Sequence, residues 1–214
     1  MPAKPKMHSA EDDLAFMRSI VEGGGRPSLT LAICYLAGGL LYGLQCLFHV
    51  GQVIGLIRWP DLANLAFVVM ITVSFLAVLT WAILKDRKSG AARGPLASRS
   101  LNAAFSATGM ANTAVIIVFG VGAVRDNDFA IWLYYAAIVF ALQAAAWYMA
   151  WTLKKKGWML ATALGGWVTA VALGLLVRQP VWYLGVCTVA LFAIFALPGW
   201  VMFREARTGS KAAA

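Results

Sequence analysis

Sorted into apolar and polar positions, the chain is six long apolar runs separated by polar joints. The runs cover about 29–57, 62–84, 101–124, 129–153, 158–177 and 181–203. A hydrocarbon core of roughly 30 Å takes about 20 apolar residues to cross as a helix, and each run reaches that length. Lipid offers no water to backbone N–H and C=O groups, so runs of this kind are expected to satisfy themselves as helices. The first run is longer than the need, which predicts a tilt, a bend or a protruding end. The joint Arg125-Asp126-Asn127-Asp128 is short enough to force spans three and four into a tight antiparallel hairpin. The basic, Gly- and Ser-rich joint at 85–100 is the longest connection.

A different period precedes the first run. Leu14, Met17 and Val21, with Phe16 and Ile20, fall on one helical stripe that Gly23–Gly25 ends. Ser9 followed by Asp12 resembles a capping box. Residues 1–27 are therefore expected to carry a short amphipathic helix on the cytoplasmic membrane surface or against a protein partner. The chain divides into that cytoplasmic segment, a six-helix transmembrane domain at 28–203, and a cytoplasmic tail at 204–214. The first ~28 residues lack the charged-then-apolar pattern of an export signal, so the first span is expected to serve as an uncleaved anchor.

Composition turns these runs into a membrane assignment. The chain is 61% hydrophobic and 13% charged, against roughly 45–50% and about 25% in soluble domains. The expected fold is an all-α integral membrane protein, a six-transmembrane-helix bundle. Its net charge of +9 does not point to nucleic acid, because the basic residues sit in short clusters between apolar runs. All 18 lysines and arginines except Arg58, Arg125 and Arg178 fall on the side of the N-terminus. The positive-inside rule then places both termini in the cytoplasm, in a bacterial-type inner (plasma) membrane. Trp59, Trp132 and Trp182 at one set of ends, and Trp81, Trp151, Trp158 and Trp200 at the other, read as two aromatic belts. Lys154, Lys155 and Lys156 are placed to attract anionic lipid headgroups, at roughly 1 kcal/mol per charge.

Polar residues inside the runs are the candidates for chemistry. Tyr35, Gly38, Tyr42, Gln45, His49 and Gln52 recur at spacings of three and four, a single helical face. That face rises roughly 25 Å. Span three carries a similar row, Asn102, Ser106, Gly109 and Thr113, with Asn112 beside it, and span four adds Gln143. An unpaired polar group in lipid costs several kcal/mol, so these faces are expected to look inward. They would form either a seam of interhelical hydrogen bonds, each worth about 0.6 kcal/mol, or a ligand or solute site. Gln45, near mid-depth, is expected to bond across to Gln143 or Asn112. Small residues at four-residue spacing, Gly39 and Gly43, Ala137, Ala141 and Ala145, and Gly166, Ala170 and Gly174, predict close helix packing.

Other chemistry is thin. The nine acidic residues lie outside the span interiors, so a proton- or cation-coupled transporter of the usual kind is disfavoured. His8 and His49 are too few for a metal or haem site, and His49 is expected to bond Gln45 or Gln52. Cys34, Cys46 and Cys187 read as small buried hydrophobes. One of Asp126, Asn127 and Asp128 is expected to cap span four rather than bind calcium. Pro198 predicts a kink where it deprives Ile194 of a hydrogen bond. No catalytic constellation, cofactor motif or metal set is present in the sequence. The expected role is a non-catalytic membrane-complex subunit or sensor and regulatory partner, contacting protein through the N-terminal helix or the transmembrane surface. The alternative is a small transporter of a neutral or weakly anionic solute, through a polar cavity between spans one, three and four.

Overall fold

The six apolar runs do become helices, and among the described residues there is no strand. The computed structural model describes residues 29–88 and 96–211. The amphipathic helix expected before residue 28 lies outside them, as does the middle of the 85–100 joint. The elements are α1 (Leu29–Val53), α2 (Asp61–Lys88), α3 (Leu96–Asp126), α4 (Phe129–Lys154), α5 (Gly157–Leu176) and α6 (Pro180–Ala190). A π-helical segment (Leu191–Ala196) continues α6 into α7 (Leu197–Lys211), so these three form one crossing. Each of the six crossings is long and apolar enough to span a membrane. Their large apolar side chains lie exposed along the flanks, Leu44, Leu47, Val73, Val118, Val168 and Leu175 among them. A chain with this much uncovered apolar surface is built for a lipid environment.

The first run does not remain helical to 57. Gly55 takes a left-handed conformation (φ 79°), Leu56 N–H bonds to Gly51 O at 2.8 Å, and Gly55 N–H bonds to Gln52 O at 3.0 Å. This paired closure on a left-handed glycine is the Schellman stop. It absorbs the surplus apolar length in a turn. In the short joint between α3 and α4, Asp128 caps α4 by accepting from Ala130 N–H at 2.9 Å, as the sequence leads one to expect.

The centre is made by α1, α4, α5 and the sixth crossing. α1 packs on α6, the π segment and α7, while α4 packs on α5. α2 rests on α1, and α3 rests on α4. The closest approach is between α1 and the sixth crossing, where glycines let backbones touch. A Cβ placed on Gly39 would stand 2.3 Å from Ala196 N, and one on Gly199 2.4 Å from Leu36 N. Gly43 lies under the Phe192 ring. Pro198 has no N–H to return to Ile194, and the irregularity predicted there takes the form of the π segment, in which Leu197 N–H reaches back five residues to Phe192 O. Between α4 and α5 the seam uses Gly166 against Ala144. The expected four-residue row on α4 is thus one residue out of phase, since Ala144 is buried and Ala145 exposed.

Candidate functional site

The polar face of α1 meets different neighbours at each level. At the lysine-rich end, Tyr35 is 5% exposed and sits among Phe105 of α3, Trp147 of α4 and Phe195 of the π segment. Ring centroids lie 5.5, 5.2 and 5.1 Å away, respectively. Its hydroxyl donates to Gln143 Oε1. Gln143 Nε2 donates to Thr108 Oγ1 at 3.4 Å, and the Thr108 hydroxyl donates to Phe105 O at 2.9 Å. A phenol, an amide, a hydroxyl and a carbonyl thus form one ordered series across α1, α4 and α3. Beside it, Trp147 is 1% exposed, and its Nε1 meets no acceptor at hydrogen-bonding geometry.

One level further along, Tyr42 turns to α2. It stands edge-on to Phe75 at 5.4 Å, and its hydroxyl interacts with Thr72. Near the Gly55 stop, the His49 ring nitrogen Nδ1 lies 2.8 Å from Gln52 Oε1, and Gln52 Nε2 donates to Asn64 Oδ1 of α2. The histidine is therefore bonded to Gln52, one of the two glutamines considered for it. Between these levels, Gln45 does not act as the expected central node. Its Oε1 is sealed from solvent without a partner, and Gln143 is engaged by Tyr35, a residue roughly 15 Å closer to the lysine-rich end at about 1.5 Å per residue. Asn112 Oδ1 is likewise buried and unpartnered.

The row on α3 points the other way. Asn102, Ser106, Gly109 and Thr113 are all exposed. Thr113 returns its hydroxyl to Gly109 O of its own helix at 3.3 Å, and Met110 is 75% exposed. From 106 to 126 no residue of α3 is buried. The inward stripe is Leu101, Phe105 and Thr108 instead, because two bulky apolar residues one turn apart fill the space beside Trp147 and the polar row does not.

Of the three lysines, Lys155 closes α4 in a left-handed conformation (φ 52°) and lies over Trp151, 4.9 Å from the ring centre. Lys156 pairs with Glu205 of α7 at 2.7 Å. Among the described residues, no three His, Cys, Asp or Glu side chains gather as a metal group would require.

Several participants escape a reading of periodicity. Thr108, Phe105, Trp147 and Phe195 build the Tyr35 level, and Asn64 and Thr72 supply the α2 partners. Cys46 and Cys187 also meet, sulfur to sulfur, at 3.8 Å. Only Phe105 carried a usable signal, being four residues from Leu101. The chain matches no known protein family model, no curated protein and no solved structure.

Proposed function

We infer that the chain is a non-catalytic subunit, or a sensor and regulatory partner, of a membrane complex. In that complex α3 seats a transmembrane helix of a partner. The observation that carries this reading is the uncovered row Asn102, Ser106, Gly109 and Thr113. Polar side chains turned to lipid are costly, and small residues at helical spacing allow another helix to come close enough to pair with them. The interior supports the same reading, because the space around α1 is filled by the Phe75, Phe105, Trp147, Phe192 and Phe195 rings. The same reading has both termini in the cytoplasm, which the distribution of basic residues supports, in a bacterial-type inner membrane with Lys154, Lys155 and Lys156 near anionic headgroups.

Native mass spectrometry of the protein extracted from its own membrane tests the reading. The wild type is expected to fly with a bound partner, and the combined Asn102→Leu, Ser106→Leu and Thr113→Leu variant to fly alone with its helicity unchanged. A wild type that is alone, or a variant that keeps its partner, would overturn it.

The buried, unpartnered oxygens of Gln45 and Asn112 favour a second reading, a small transporter of a neutral or weakly anionic solute that donates hydrogen bonds to them. It requires uptake into proteoliposomes that Gln45→Leu abolishes without loss of fold.

A further inference from the structure

We propose that Cys46 and Cys187 are a reversible dithiol–disulfide couple that fastens α1 to α6. Their sulfurs lie 3.8 Å apart although the residues are 141 positions apart in the chain. Cys46 is seven residues short of Val53, and Cys187 seven residues past Pro180. Both therefore stand roughly 10 Å inside the end opposite the lysines, at about 1.5 Å per residue. Two helices deliver them to the same depth with side chains facing. A disulfide needs its sulfurs about 2.05 Å apart, so closure asks for a movement of about 1.8 Å, within the reach of side-chain rotation. Cys187 is buried and Cys46 half-buried, so Cys46 is the sulfur an oxidant meets first.

The surroundings favour a covalent couple over an ion site. Among the described residues, no third His, Cys, Asp or Glu joins the pair. A soft monovalent ion held by two thiolates would leave a net negative charge among apolar side chains, which is costly in a medium of low dielectric. A disulfide is neutral. Tyr183 shares a core cluster with Cys187, against which Cys46 packs, but its hydroxyl is already given to Leu133 O at 2.6 Å.

The chemistry balances with a lipid-soluble quinone, a two-electron acceptor able to reach this depth. The two S–H bonds break and one S–S bond forms. Two electrons and two protons pass to the quinone, which leaves as the hydroquinone. A dithiol reductant reverses the step by exchange through a mixed disulfide. The mechanical effect falls on the neighbouring seam. Phe192, five residues beyond Cys187, packs on Gly43, and Ala196 at the far end of the same π segment packs on Gly39. Oxidation fixes the register of α1 on that segment, and reduction releases it. π segments recur at functional sites, and here the segment lies where the bond would act. The couple is independent of whether α3 seats a partner.

The test uses the full chain, reduced and held in lipid nanodiscs, exposed to a short-chain quinone. Alkylation under denaturing conditions should count three free thiols before treatment and one after, with Cys34 retained. The intact mass should fall by two hydrogens, a peptide joining Cys46 to Cys187 should appear, and dithiothreitol should restore all three thiols. The Cys34→Ser variant, which leaves the pair untouched, should go from two thiols to none. Three thiols persisting under the quinone, a linkage through Cys34, or two chains joined to each other would overturn the proposal. So would stoichiometric retention of added Cu(I) by the pair with no disulfide formed on quinone treatment.

Discussion

Two rows of polar residues, one on α1 and one on α3, share the same helical spacing and come to opposite ends. On α1, Tyr35, Tyr42 and Gln52 each reach a side chain of a neighbouring helix. On α3, Asn102, Ser106 and Thr113 reach none of these and stand exposed. The difference is made by what surrounds each row. Gly38, Gly39 and Gly43 let neighbours close over α1, whereas on α3 the bulk of Leu101 and Phe105 turns the other side of the helix inward. A polar row in a membrane helix thus signals a contact without saying whose. Where the chain itself supplies the partner, the row is internal adhesive. Where it does not, as on α3, the row stands exposed, and it is there that we propose a partner helix sits.

Substitutions should separate the two rows, beginning with the one that does most damage. Gly39→Leu forces a side chain into the Ala196 backbone, and overpacking of this kind costs about 1–3 kcal/mol, or more when the backbone cannot yield. The expected outcome is loss of folded protein after detergent extraction, read by gel filtration and circular dichroism. Tyr35→Phe keeps the ring contacts but removes the donor to Gln143. It should destabilise by about 1 kcal/mol, within the ceiling of about 1.7 measured for membrane hydrogen bonds, in reversible denaturant unfolding. Gln52→Leu removes bonds nearer the end of α1 and should cost about 0.6 kcal/mol in the same assay. The combined Asn102→Leu, Ser106→Leu and Thr113→Leu variant should not destabilise the isolated chain, because these positions are exposed and polar groups are removed from a lipid-facing surface. A large destabilisation there would place that row inside the fold and erase the comparison.

The sequence made the six crossings legible because a bilayer leaves long apolar runs little choice but helix. The hairpin at Asn127 and Asp128 was legible for a local reason, a short joint ending in a capping residue. The Gly55 stop was within reach, since glycine is the residue that takes a left-handed turn, but the apolar residues around it read as more span. The direction of each polar row was not legible. Spacing alone defines a face, and the neighbours that choose its direction, Phe105, Trp147 and Phe195, come from three separate crossings. Gln45 illustrates the same limit, for its depth suggested a node while the actual partner of Gln143 lay at Tyr35. Cys46 and Cys187 had no signal at all, because a thiol in an apolar run reads as a small hydrophobe until the fold brings a second one beside it.

Site-specific photo-crosslinking in intact membranes tests the central claim most directly. A photoreactive phenylalanine analogue would replace Ser106 on the exposed row of α3, or Val171 on α5, which is 65% exposed and apolar. The account predicts a protein adduct of discrete mass from position 106 and only lipid adducts from position 171. Lipid adducts alone from both positions would contradict it.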